Sequence, residues 1–400
     1  MTDRIPVDEH AAFVRSLLAG LGARPTERVA LAGALGRITA SPVESPVALP
    51  PFRNSQMDGF AVRADDVTDA PVSLPIVGEI AAAPGVPAPL VPGTAARIMT
   101  GAMLPDGADA VVPVEDTEPV GGDVVGVLVL RPRRAGEYVR EAGSDLAAGE
   151  DVLPAGIRLA SRHLAAVAAS GLTHVLVRER VRVAVISTGS ELVAPGEALG
   201  PGEIPDANGV ALVAAVRAAG AVVVHEGRVR DDANRLRGEL DAAHDAGAEL
   251  VLTSGGVSMG AYEVVREVVV PLGGWVGTVA MQPGGPQAAG AYRGMPVIGF
   301  PGNPVSAQLS FELFVAPTMR AIAGLPPAEH ARLELAEPLR SVAGKRQFLR
   351  GRRTADGRVV VVGGPGSHLV AALAASDLLI VVPEEVEVLD AGALVDTVEL

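Results

Sequence analysis

The rhythm of apolar and polar positions changes several times along the chain. From residue 8 to 36 apolar residues recur at helical spacing, with Leu17, Leu18 and Leu21 after Asp8, and Val29, Leu31 and Leu35 after Thr26. Asp8 and Thr26 suit helix N-caps, so two helices are expected there. From about 42 to 139 prolines, valines and glycines surround the short runs VSLPIV, AARIM, DAVVPV and VVGVLVL, the text of a small β-rich unit. Residues 140–177 return to helix-like text in SRHLAAVAASG. This stretch is expected to pack beside the first helices, which makes the β-rich unit an insertion.

From residue 181 the pattern is clearest. Strand-like VRVAVIS, AVVVHEG, ELVLTSG and MPVIGF alternate with helix-like NGVALVAAVRAAG, DDANRLRGELDAAHDAG, AYEVVREVV and NPVSAQLSFELFVAPTMRAI. Such alternation predicts a parallel sheet covered on both faces, with ligands bound beyond the carboxyl ends of its strands. The valine-rich remainder, about 328–400, reads as a small β-barrel or sandwich. No repeat of solenoid length appears.

Length and composition narrow the function. At roughly 150 residues per domain, the length implies about two to four domains. The absence of cysteine removes disulfides, thiolate ligands and a cysteine nucleophile together. A formal net charge of −14 without an arginine patch disfavours nucleic acid as a partner. Residues 268–292 carry no charge, but Pro271, Pro283, Pro286 and several glycines interrupt them, so turns and short strands are expected rather than a membrane span. The N-terminal MTDRIPVDEH has early acids and no apolar core of signal-peptide type, which argues for a cytoplasmic protein. No histidines stand at the spacing of a zinc pair. Lys345 is the only lysine, so anion capture falls to arginine forks and backbone N–H groups.

Three strand ends run into small-residue loops: Ser187–Glu191 (STGSE), Ser254–Ser258 (SGGVS) and Pro301–Ser306 (PGNPVS). In them Ser187, Gly189, Ser254, Gly255, Gly256, Pro301 and Asn303 are candidate ligand contacts, because small residues let the backbone approach a ligand and helix starts favour oxyanions. Tight packing turns are the alternative. Neither a G-x-G-x-x-G nor a Walker A lysine loop occurs. Gly256-Val257-Ser258-Met259-Gly260 fits G-x-S-x-G, so a serine esterase using Ser258, Asp356 and His368 is a rival reading. Carboxylates cluster near the loops: Glu191, Asp231, Asp232 and Glu263, with Asp58 in the β-rich unit. Asp231 as an N-cap, Glu263 as a first-turn acid and Asp58-Gly59 as a turn are the plainer accounts. Acids facing bound phosphates require a divalent cation between them, and oxygen ligands suit Mg²⁺, so Asp231 and Glu263 are candidate metal ligands.

The strings NSQMDGFAVR, RIMTGAMLP, GADAVVPVE, STGSEL, VRDD, TSGGVSMG, GFPGNPVSA and GSHLV, in that order, resemble the molybdopterin molybdenumtransferase family, which includes the MoeA proteins and the E domain of gephyrin. The resemblance spans the whole chain. It implies molybdenum insertion into adenylated molybdopterin, with molybdate as the other substrate, Mg²⁺ as cofactor, AMP released and molybdenum cofactor formed. The implied architecture is an elongated first domain (1–45 plus 140–177), an inserted β-rich domain (46–139), a molybdopterin-binding α/β domain (178–327) and a C-terminal β-barrel (328–400). The family also implies a homodimer in which Asp58 and Thr100 reach the partner's site, and extends the partners to the molybdopterin adenylyltransferase and molybdoenzyme apoproteins. Glu191, Asp231 and Glu263 match its acidic functional positions, Glu263 replacing a frequent aspartate. Ser306, Arg350 and Ser367 match positions associated with molybdate or nearby anions, with Arg346 an alternative alignment for the arginine; hydroxyls and a guanidinium suit an oxyanion.

One segment departs from the family. Where related chains carry two lysines in a pattern like K-P-G-K-P, this one has Gln282-Pro283-Gly284-Gly285-Pro286, with Pro286 retained as a candidate cofactor contact. Gly285 supplies no side chain where a cation is expected. Either an arginine is recruited from elsewhere, or the chain is a catalytically impaired pterin-binding or scaffold paralogue.

Overall fold

The computed structural model of the chain describes residues 4–121, 125–258 and 263–400. Two compact units emerge, one from the residues up to Pro25 together with Glu179–Leu400, the other from Thr26–Arg178. No helix among the described residues is long and apolar enough to cross a membrane.

The first unit is built on a six-stranded sheet. In chain order its strands are β1 (Arg182–Thr188), β2 (Val222–Val229), β3 (Leu250–Ser254), β4 (Trp275–Thr278), β5 (Pro286–Tyr292) and β6 (Met295–Phe300). They lie side by side in the order β2, β1, β3, β6, β5, β4. Successive residues of one strand serve two cores. Val183, Val185, Leu250, Leu252, Ile298 and Phe300 pack towards Leu212 and Val216 of the helix Ala207–Ala218 and towards Phe311 and Phe314. Ala184, Ile186, Val251 and Val297 pack against Leu236 and Leu240 of Ala233–Asp245 and Val265 and Val268 of Val264–Val269. Burial of both faces explains the unbroken apolar text of β1 and β3.

The sheet is not wholly parallel, as the strand-helix alternation suggested. β2, β1, β3 and β6 are parallel, β5 runs antiparallel between β6 and β4, and β4 again points the way of the first four. The cause is a two-residue hairpin between β5 and β6, in which Tyr292 faces Met295 and both Arg293 (φ 51°) and Gly294 (φ 83°) have positive φ. Turns of that twist join antiparallel strands, and two residues leave no room for a crossover helix.

The helix Val7–Leu18 also belongs to this unit, burying Val7, His10, Val14 and Leu18 in the first of the two cores. Its N-cap is Pro6 rather than Asp8, which lies in the first turn. The C-terminal strands His330–Glu334, Arg346–Arg353, Val359–Val361, Leu378–Val382 and Leu394–Glu399 form a second sheet. The sheet curls as a barrel does: Leu335, just past the edge strand His330–Glu334, bridges Val359 in parallel, and Ala336 N donates to Val359 O at 2.9 Å. The edge beside Arg346–Arg353 is taken by Met281–Gln282, a segment leaving the α/β sheet, which pairs in parallel with residues 346 and 347.

In the second unit a mixed six-stranded sheet orders Ala110–Pro113, Gly59–Val62, Ala95–Ile98, Val72–Ile80, Gly126–Val129 and Thr117–Val120. These strands contain the short runs read from the sequence as β-rich. Residues 26–30 were expected in a helix capped by Thr26; they form a strand paired antiparallel with His174–Arg178. The side chains of Glu27 and Val29 are half-buried between exposed neighbours, a period of two that overrides the helical reading. Ser161–Ala169 is the helix its text suggested, placing Leu164 and Val167 with Val29, Leu31, Val175 and Val177.

Candidate active site

A cavity of about 1030 Å³ opens at the carboxyl ends of the parallel strands, where open α/β sheets hold ligands. Its wall follows the sheet order: Asp231 after β2, Gly189 and Glu191 after β1, Gly255, Gly256, Ser258 and Glu263 after β3, Pro301 and Asn303 after β6, Pro286 opening β5, and Thr278 closing β4. Ser306, one turn into the helix Pro304–Ser310, and Ser367 of the following domain's loop also line it. The loop is tied to that helix by the Val305 N–H, which donates to Ser367 O at 3.1 Å.

The glycines after β3 have a steric reason. Gly255 (φ 90°) approaches Thr188 so closely that a Cβ would lie 2.4 Å from the Thr188 carbonyl oxygen, and Gly256 (φ 67°) touches the start of Val264–Val269. Both adopt left-handed backbone that side chains resist. The close approach brings the ends of β1 and β3 to one wall of the cavity.

Hydrogen bonds hold the carboxylates in place. Asp231 Oδ2 accepts from Ser190 N at 3.1 Å, while Asp231 N donates to Ser190 Oγ at 3.2 Å. The cap of the following helix is Asp232, whose Oδ1 accepts from the N–H groups of Asn234 and Arg235, both at 2.9 Å. Asp231 is therefore not the N-cap that the sequence permitted, and its carboxylate serves the cavity wall. Glu263 Oε2 accepts from Ser258 N at 2.7 Å. Asp206, capping Ala207–Ala218, and Asn208, whose Nδ2 donates to Gly302 O at 2.8 Å, are wall residues that sequence reasoning missed. Nothing in the run NGVAL marked Asn208 beyond a helix start.

Other expected contacts stand behind the wall. Ser187 and Ser254 are fully buried, joined Oγ to Oγ at 3.4 Å, and fix β1 to β3 without lining the cavity. Arg350 is 1% exposed. Its guanidinium donates to the carbonyls of Gly364 and, at 3.1 Å, Gly366, so it braces the loop that presents Ser367 and His368. Burial holds its pKa below the usual arginine value. Arg346, the alternative, is committed elsewhere, with Asp8 at 2.8 Å and Glu384 at 3.2 Å.

Asp58 and Thr100 lie in the second unit. Asp58 Oδ1 accepts from Thr100 N at 2.7 Å and Thr100 Oγ1 at 2.9 Å, and these bonds lower the Asp58 pKa. The esterase triad is not assembled. Ser258 and His368 line the cavity, but the exposed Asp356 pairs with Thr354 and Arg358 and makes no bond to His368. Met259 and Gly260, which complete the G-x-S-x-G string, lie outside the described residues.

Comparison with known proteins agrees with this architecture. Residues 5–171 match the MoeA N-terminal region (domain I and II), 184–321 a probable molybdopterin binding domain, and 332–400 the MoeA C-terminal region (domain IV). The chain is 42% identical over 400 residues to molybdopterin molybdenumtransferase 2 of Mycobacterium tuberculosis, covering 96% of this chain and 97% of that one. It is 40% identical to the molybdopterin molybdenumtransferase of a Nostoc species, over 75% of this chain and 70% of that one. The crystal structure of a molybdopterin biosynthesis MoeA protein from Pyrococcus horikosii is similar over 99% of both chains, with a TM-score of 0.81 and 34% identity. With all three regions matched in order and relatives aligned along nearly the whole length, the chain belongs to the MoeA family.

Proposed function

We propose that this protein transfers molybdenum from molybdate to molybdopterin presented as its adenylate, releasing AMP and leaving molybdenum cofactor. One observation carries the reading. A single cavity, within reach of the region matched by the molybdopterin-binding family, joins a carboxylate-lined end to a glycine-, serine- and amide-lined end. The names of the relatives support the transfer of molybdenum to molybdopterin.

In this reading the open backbone at Gly255, Gly256 and Pro301–Asn303 seats the pterin and its phosphate, and Ser306 and Ser367 donate hydroxyls to the incoming oxyanion. Arg350 acts at one remove, holding the loop that carries Ser367. Holding both reactants in register in one cavity removes much of their encounter entropy, so no covalent protein nucleophile is required.

Magnesium fits the donors present. Asp231 lines the cavity and its Oδ1 takes no hydrogen bond among the described residues, while no three of His, Cys, Asp and Glu gather into a closed metal cage among them. Mg²⁺ typically binds through one or two carboxylates with substrate phosphates and water. Asp231 and Glu263 are the residues assigned to it, and the ion would neutralise the phosphate charge of the departing AMP. The working form is taken to be a homodimer, with Asp58 and Thr100 of one chain completing the other's site.

The test is direct. Purified protein given adenylated molybdopterin, Mg²⁺ and molybdate should release AMP in proportion to molybdate added. Tight pterin binding without release would favour the scaffold reading that Gly285 motivates.

A further inference from the structure

The cavity's charges are sorted along the sheet rim. Glu191, Asp231 and Glu263 follow the neighbouring strands β1, β2 and β3. The start of β5 lies two spacings from β3, three from β1 and four from β2, roughly 10–19 Å. At that far end stands the strip from Thr278 to Pro286, which includes the side-chain-free Gly285.

Two backbone segments pair with this strip, and each brings one cation to the wall. Residue 5 bridges Val279, its N–H donating to Thr278 O at 3.1 Å, and the preceding Arg4 lines the cavity. Arg346 N donates to Ala280 O at 2.9 Å, residues 346–347 pair with Met281–Gln282, and the preceding Lys345 lines the cavity. Arg4 and Lys345 are the only lysine or arginine residues in the described wall. Strand alternation turns Arg346 the other way, onto Asp8 and Glu384. Among the described residues neither Arg4 nor Lys345 pairs with a carboxylate, although the chain carries 47 acids against 33 bases. A half-buried lysine kept apart from acids in an acidic protein is a cation reserved for an external anion.

We infer that Lys345, seconded by Arg4, holds the metal oxyanion at the Gly285 end of the cavity and so takes over the position that Gly285 leaves without an amine. The inference rests on the proposed molybdenum transfer and names the residue that binds its inorganic substrate. The ligand class is a tetrahedral oxyanion carrying two negative charges. The ammonium is a compact charge with three donors, suited to such an anion, while Ser306 and Ser367 supply neutral donors from the β6 side. Charge sorting also keeps the oxyanion away from the carboxylates at the far rim, which would repel it.

Molybdate titrated calorimetrically into the wild-type protein, K345M and K345R decides the matter, with AMP release measured on the same preparations. Loss of one charge-assisted contact should weaken molybdate binding by roughly tenfold or more in K345M, and K345R should stay within about threefold of wild type. In turnover the K345M defect should appear as a raised KM for molybdate with kcat little changed. Its urea midpoint should match wild type, since Lys345 makes no ion pair to lose; K345Q provides a second neutral variant. Equal molybdate affinity in wild type, K345M and K345Q overturns the assignment and leaves molybdenum transfer standing. Weakened binding in K345M, retained in K345R, with no AMP release from any of them, supports the assignment and overturns molybdenum transfer. No molybdate binding by the wild-type protein overturns both.

Discussion

His10 makes a quantitative prediction. It sits on the inner face of the helix Val7–Leu18, 0% exposed, with ring centroids 5.1 Å from Trp275 and 4.6 Å from Phe314. Neither ring nitrogen has a hydrogen-bond partner, and burial pushes its pKa from 6.5 down to about 4. Between those values the unfolded chain binds the proton and the folded one resists it, so stability is full above pH 6.5 and falls as pH drops towards 4. A separation of about 2.5 units corresponds to roughly 3.4 kcal/mol in total, of which about 2 kcal/mol is lost between pH 7 and pH 5. His10→Leu, close in volume and without a titrating group, should remove that slope. Trp275, the chain's only tryptophan, lies in the same cluster and reports unfolding of this unit by its emission. Urea titrations at both pH values should show wild type losing about 2 kcal/mol more than the leucine variant over this interval. Equal losses would refute the claim that His10 is held neutral by its surroundings.

The site yields further expectations. Asp231→Asn should depress AMP release at least tenfold while leaving the unfolding free energy from urea titration within about 0.5 kcal/mol, because Asp232 caps the helix; undiminished turnover at limiting Mg²⁺ would remove Asp231 from the metal site. Asp232→Ala should cost about 1 kcal/mol of stability with little change in molybdate KM, as measured by denaturation and initial rates. Gly255→Ala forces both positive φ and a contact of 2.4 Å with Thr188 O; a loss of roughly 3 kcal/mol or failure to fold is expected, and a wild-type midpoint would contradict the packing. Mixing Asp58→Asn chains with Asp231→Asn chains should restore part of the activity if the site is shared across a dimer; no recovery in mixed dimers would confine each site to one chain.

The sequence was most informative where local chemistry dictates backbone. Strand ends flowing into small residues identified the loops after β1, β3 and β6, because glycine has few other reasons to cluster there, and Gly255 shows the close approach that requires it. It was least informative where pairing between distant segments decides. Thr26–Ala30 carries enough apolar residues for a helix, and only its partner strand His174–Arg178 makes it extended. The reversal of β5 depends on a two-residue Arg-Gly turn, a signal too short to compete with the surrounding α/β rhythm. Side-chain direction was equally hidden. Arg346 and Arg350 looked interchangeable on the page, but one is tied to Asp8 and Glu384 and the other braces a loop from within. Lys345 stood out as a singular lysine, yet its value to the cavity came only with the parallel register of residues 346–347 on Met281–Gln282.

The short strip from Thr278 to Gln282 is stitched on one side to Ile5 and on the other to the C-terminal sheet at residues 346–347. An anion gripped there by Arg4 and Lys345 would act as a removable rivet between segments far apart in sequence. Saturation with such an anion should slow hydrogen–deuterium exchange at Ile5, Ala280 and Arg346 together, and Arg4→Ala should loosen the grip without touching the carboxylate end of the pocket.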